Sequence, residues 1–145
     1  MDILYNIVIY ITGFHLKLIA LFNHKIKLGV DGRSKTFKIL KENIASDDNV
    51  FWFHCASLGE YEQGLPVFKV LRERFKSYKI VLTFFSPSGY EIRKNTNVAD
   101  VVVYLPLDTK HNARTFLDVL NPKFTVFVKY DIWPNYLKEL KLACL

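Results

Sequence analysis

The chain has 145 residues, half of them hydrophobic and 15% aromatic, which suits one folded domain with a real core and excludes a disordered segment. Its two cysteines, Cys55 and Cys144, make no disulfide framework and no metal-ligand spacing, as fits a reducing compartment. The net charge of +6 is carried by residues 17–41, where Lys17, Lys25, Lys27, Arg33, Lys35, Lys38 and Lys41 outnumber one acid, Asp31. Such a cluster beside an apolar run reads as a surface for anionic lipid headgroups. A nucleic-acid binder would spread its basic residues over a folded face.

The apolar run is ILYNIVIYITGFHLKLIALF, residues 3–22. Asn6, Gly13, Lys17 and His24 stand at spacings of 7, 4 and 7. A helix over residues 1–27 therefore gathers them on one stripe and leaves the rest of its circumference apolar. Three arrangements are open: a helix lying in the membrane interface, which is favoured, a spanning helix, and a helix buried on its own domain. A spanning helix with this basic flank would hold the main domain in the cytoplasm. No basic region precedes the run and no small-residue cleavage site follows it, which argues against a signal peptide. Residues 28–49, including GVDGRSK, read as a short helix and linker. Their two glycines do not make a phosphate loop.

From residue 50 onward, β-branched and aromatic runs of strand length alternate with helical segments. The strands are VFWFHC (50–55), KIVLTFF (79–85), VVVYL (101–105) and KFTVFVKY (123–130), and the helices fall at about 58–76, 88–96, 110–120 and 132–141. This pattern predicts an α/β domain over residues 50–145, a Rossmann-like parallel sheet with flanking helices. Ligands of such sheets bind at the C-terminal ends of the strands. There the chain places HCASLGE, FSPSGYE, LPLDTK and KYDIWPN.

Ser57 to Glu60 and Ser88 to Glu91 both fit S-x-x-E, the capping box of a helix start. Two readings of Glu60 follow: its carboxylate caps the helix, or it accepts a proton, kept ionised by the helix N-terminus. Gly59 and Gly89 would let a substrate approach the backbone. His54 and Cys55 look like a base and nucleophile, but strand neighbours point to opposite faces and cannot form a dyad directly. No metal, zinc or nucleotide-loop motif is present.

FHCASLGE, LTFFSPSGYE, YLPLD and NPKFTVFVKYDIWPN, in this order and at these intervals, resemble the N-terminal half of the Kdo transferases. The resemblance covers residues 1 to about 141. Members of that family add 3-deoxy-D-manno-octulosonic acid (Kdo) to the lipid A precursor, lipid IVA, in lipopolysaccharide synthesis. The resemblance implies a GT-B glycosyltransferase at the cytoplasmic face of the inner membrane. Its N-terminal domain takes the lipid acceptor and its C-terminal domain takes the donor CMP-Kdo. Transfer is direct and inverting, without metal or other cofactor. The family's catalytic base corresponds to Glu60, and capping and catalysis are compatible there. Ser57, Gly59, Ser86, Ser88 and Gly89 match positions shaping the acceptor side of the cleft, and Arg93 is a candidate for the acceptor's phosphates.

Many members of that family read M-E-T-E-x-W-P-N where this chain has residues 128–135. The second acid is Asp131, while the first, assigned to transition-state stabilisation, is Lys129. A cation there could meet the donor carboxylate or the leaving phosphate. Asp131 has a second reading, as N-cap of the last helix with Pro134 in its first turn. The donor-domain motifs that the resemblance would place further on are not in these 145 residues. The chain alone is therefore expected to transfer no Kdo. The alternative function is an inactive domain that holds a glycolipid at the membrane.

Overall fold

The structure is a computed structural model that describes residues 2–129 and 131–143. Tyr130 and Cys144, both quoted above, lie outside the described residues. The N-terminal apolar run is helical over Asp2–Ile19 (α1), and a second helix, α2, runs over His24–Asn43. The break between them has a local cause. Asn23 adopts extended backbone, and its side chain accepts from the Ile26 N–H at 3.1 Å, an N-cap. The helix expected over residues 1–27 is therefore two helices, and His24 opens the second instead of extending the polar stripe of the first.

The segment expected to be a short helix and linker is also different. α2 is 20 residues long and lies along the sheet. Gly32 permits this, since a Cβ there would come within 2.2 Å of the Tyr104 ring. The glycines of GVDGRSK thus serve close packing and do not end the helix.

Beyond α2 the alternation is as the sequence predicts: β1 (Val50–Cys55), α3 (Leu58–Arg74), β2 (Lys79–Phe84), α4 (Pro87–Arg93), β3 (Val101–Tyr104), α5 (Lys110–Leu120), β4 (Phe124–Phe127) and α6 (Pro134–Ala143). The four strands form one sheet in the order β3-β2-β1-β4, and every neighbouring pair is parallel. β1 is fully buried, consistent with its unbroken apolar and aromatic character.

Strand alternation divides the core in two. Val50 and Trp52 join Val81, Val103 and Leu105 under α2, α5 and α6, where Phe116 and Tyr136 fill the space. Phe51, Phe53 and Cys55 join Ile80, Leu82 and Phe84 under α3, where Phe53 stacks on Phe68 with ring centroids 4.4 Å apart. His54 therefore belongs to the face of Trp52, opposite Cys55.

α1 docks through Tyr5 and through Asn6 and Gly13 of its polar stripe, while Lys17 stays exposed. Asn6 Oδ1 accepts from the Lys110 N–H and from Asn135 Nδ2, both at 3.2 Å, and the Tyr5 hydroxyl donates to Asp108 at 2.7 Å. Gly13 faces Leu107 so closely that a Cβ would lie 2.9 Å away. The apolar majority of α1, including Ile3, Leu4, Ile7, Ile11 and Phe14, faces outward. No helix among the described residues is long and apolar enough to cross a membrane.

Candidate functional site

The C-terminal ends of the strands carry the loops in which the sequence places its candidates. The first candidate, Glu60, stands in the first turn of α3. Its Oε2 accepts from the Ser57 N–H at 3.3 Å and, in a shorter contact, from the Ala56 N–H. The reach-back half of the capping box is therefore formed, and it fixes one carboxylate oxygen against the strand end. Oε1 takes up no hydrogen bond among the described residues. Gly59, beside it, is exposed, and a Cβ there would meet nothing within 4 Å.

The second S-x-x-E does not act as a capping box. α4 begins two residues earlier than that motif implies: Ser86 is the N-cap, its Oγ accepting from the Ser88 N–H at 3.3 Å, and Pro87 supplies a preset first helical residue. Glu91 instead pairs with Lys94 at 2.7 Å. Gly89 is buried, and a Cβ would come within 2.4 Å of the Phe84 ring and 3.1 Å of the Leu58 nitrogen. Its small size lets α4 close on α3. Arg93 donates from Nε and Nη2 to Glu62 at 2.9 and 2.6 Å and lies over the Tyr61 ring, joining the same two helices.

Asp131 does not cap α6. Its Oδ2 lies 2.8 Å from His54 Nε2, and His54 Nδ1 lies 2.8 Å from Thr83 Oγ1, which Trp52 Nε1 reaches at 2.9 Å. The donors run one way through Trp52, Thr83 and His54 to Asp131, and the Trp133 indole N–H closes on the same end, 3.2 Å from His54 Nε2. Trp52 donates to Thr83, Thr83 donates to His54 Nδ1, and Nε2–H remains for Asp131. The hydrogen bond from His54, assisted by one from Trp133, holds the Asp131 carboxyl below the ordinary carboxylate range, against the opposing effect of burial. His54, read from the sequence only as a failed partner for Cys55, thus orients a carboxylate from the far end of the chain. The sequence signal was its position at the end of a buried strand, where a polar side chain needs a partner.

Cys55 is no nucleophile here: burial first, then the charges of Glu60 and Asp131, push its thiol far above its usual range. Lys129 is exposed and holds a left-handed backbone, φ 66. For a residue with a Cβ that costs roughly 1–2 kcal/mol.

The sequence reading passed over Asp108, in the loop after β3. Its two oxygens accept from the Asn135 and Tyr136 N–H groups, each at 3.1 Å, and from Tyr5. Asp108 therefore caps α6 from a distance while anchoring α1. Desolvation raises its carboxyl above the usual range, against those hydrogen bonds. Among the described residues no group of three His, Cys, Asp or Glu could hold a metal ion.

Comparison with known proteins identifies the family. A family model described as 3-deoxy-D-manno-octulosonic-acid transferase (kdotransferase) matches residues 31–143. The chain is 31% identical over 98 residues to the 3-deoxy-D-manno-octulosonic acid transferase of Aquifex aeolicus, covering 67% of this chain and 27% of that protein. It is 31% identical over 93 residues to the Haemophilus influenzae protein of the same name, covering 63% and 22%. It is 30% identical over 90 residues to a probable mitochondrial 3-deoxy-D-manno-octulosonic acid transferase of Arabidopsis thaliana, covering 61% and 20%. No solved structure gives a significant match. The chain spans about a quarter of the length of the curated relatives it matches. With the family model covering most of its length, the chain belongs to the 3-deoxy-D-manno-octulosonic-acid transferase family, whose N-terminal region it represents.

Proposed function

We propose that this domain is the acceptor-binding half of a membrane-associated GT-B Kdo transferase, with Glu60 as general base. The observation that carries the reading is the state of Glu60. One oxygen is pinned by backbone N–H groups at the strand end, and the other makes no hydrogen bond among the described residues, beside an unobstructed Gly59. A carboxylate so held can receive a proton at a fixed point. Oε1 takes the proton of a lipid IVA hydroxyl, the freed oxygen pair bonds to the anomeric carbon of Kdo, and CMP leaves with the broken bond's electrons. Attack opposite the leaving group inverts that carbon and calls for no metal.

Asp131, oriented by His54, lies on the facing loop. Lys129 meets the negative charge of the donor or the departing phosphate. CMP-Kdo itself is held by a second Rossmann-like domain in the family's longer members. The outward apolar face of α1 and the lysines of α2 support attachment to the cytoplasmic leaflet of the inner membrane.

The test is Kdo incorporation from CMP-Kdo into lipid IVA by membranes of cells expressing this domain joined to a donor-binding domain of the family, wild type against Glu60→Gln. The expected loss is about 10²–10⁴-fold, the usual worth of a general base. Equal rates would overturn the role of Glu60. A second reading, a glycolipid-binding domain without catalysis, draws on Lys129 standing where the family resemblance implies an acid. It would be preferred if neither protein transfers Kdo while both retain lipid IVA.

A further inference from the structure

Of the seven basic residues in the segment 17–41, the six lysines are exposed and Arg33 alone is drawn inward. Its guanidinium lies 4.4 Å from the centroid of the Phe85 ring and 5.5 Å from that of Tyr104. Nε donates to the Leu105 carbonyl at 3.1 Å and Nη2 to the Phe85 carbonyl at 2.5 Å, both just beyond the C-terminal ends of their strands. Those bonds use two of its five N–H donors. Among the described residues no carboxylate pairs with Arg33, and burial lowers its pKa below the usual value. A part-buried cation without an acid is costly unless an anion joins it.

The guanidinium packs closely on the backbone of α2 at Gly29. A Cβ at Gly29 would come within 2.7 Å of Arg33 Nη1, so the absence of a side chain there is what admits the fork. Lys25, Gly29, Arg33, Phe85 and Ser86 line one small basin, which opens between the first turns of α2 and the β2–α4 loop. Leu16, Val30 and Arg33 also line a larger, mainly apolar groove that continues between α1, α2 and Leu107. Arg33 thus stands where the two cavities meet, a guanidinium set with Lys25 and Ser86 in an otherwise mainly apolar lining.

We infer that this basin binds the phosphate monoester of a lipid headgroup, through Arg33, Lys25 and the Ser86 hydroxyl, while a chain of the same lipid lies in the adjoining groove. The fork geometry of Arg suits two phosphate oxygens, Lys adds a point charge, and a hydroxyl adds a donor. The basin is one loop from the candidate base. The Ser86 N–H donates to the Ala56 carbonyl at 2.8 Å, and the Ala56 N–H in turn holds Glu60. The inference rests on the acceptor reading above and adds to it the subsite that would take the acceptor's phosphate.

The experiment titrates the 145-residue chain with dioctanoyl phosphatidic acid below its micelle concentration, following amide and Arg Nε–H shifts by NMR. Inorganic phosphate and dioctanoylglycerol serve as separate arms. Saturable shifts at Gly29, Ser86 and Arg33 with phosphatidic acid are expected, at least about tenfold tighter than either control. Arg33→Lys should weaken binding about tenfold, by loss of the fork. Lys25→Ala, at an exposed site that does not endanger folding, should weaken it about threefold. Equal affinity for dioctanoylglycerol, or unchanged affinity in both variants, overturns the phosphate site. Equal affinity for inorganic phosphate overturns the lipid assignment. Failure here with Glu60-dependent Kdo transfer intact removes this subsite alone, whereas intact binding with no transfer removes only the catalytic reading.

Discussion

Asp131 owes its place to a histidine 77 residues earlier, and that pairing sets how its charge contributes to the fold. Its native pKa lies below the ordinary value of 3.8, chiefly through the hydrogen bond from His54. A depressed carboxylate pKa stabilises the fold above the unfolded-state value, and the benefit is lost as pH falls through the native one. Asp131→Asn, which keeps an acceptor for His54 but removes the charge, should lower stability at neutral pH by roughly 1 kcal/mol. The difference from wild type should vanish at the acid end. Urea unfolding at a series of pH values measures this, and a constant difference down to the lowest pH would sever the link to ionisation. The opposite-face argument for His54 and Cys55 was legible, because strand alternation is local. Asp131 as the partner was not, because only the parallel closure of β4 on β1 brings them together. Asp108 was illegible for the same reason, since it caps a helix that begins 26 residues later.

At the scale of elements, the two glycine-bearing helix starts, α3 and α4, look alike in sequence and differ in packing. Gly59 faces open space, while Gly89 is pressed between Phe84 and the start of α3. Gly59→Ala should therefore leave the fold intact or stabilise it by about 0.5–1 kcal/mol, the helix preference of Ala over Gly. Gly89→Ala should cost about 1–3 kcal/mol through overpacking. Thermal unfolding of the two variants separates them, and equal effects would show that the close approach of α4 to α3 is not what Gly89 serves. If Gly59→Ala stays folded yet loses Kdo transfer, the expectation that a substrate passes close to this backbone is supported. The four strands and the helices after residue 50 were legible because apolar runs of strand length alternate with helix-length segments and turn signals stand between them. α2 was not, because glycines that serve close approach to a neighbour resemble glycines that break a helix.

For the whole molecule, the unusual feature is that α1 turns Asn6 and Gly13 of its polar stripe inward and most of its apolar side chains outward. Sequence periodicity identified the stripe, but it could not say which side faces the domain. That was decided by Asp108, Lys110 and Asn135, all contributed by distant segments. The exposed face includes Ile11 and continues through the turn to Phe22, which is 91% exposed, and the lysines of α2 follow at once. Burying one such side chain in a bilayer interface is worth about 1.5–3 kcal/mol, and each lysine near an anionic surface about 1 kcal/mol. The chain should therefore sediment with vesicles containing phosphatidylglycerol and less with neutral ones, the difference shrinking as salt screens the lysines. Ile11→Glu with Phe22→Glu, two exposed sites where substitution barely touches the fold, should reduce partitioning at least about tenfold. If that double variant partitions like wild type, the outward face of α1 is not the membrane contact, and the lysines of α2 would have to bring the domain to the bilayer by charge alone.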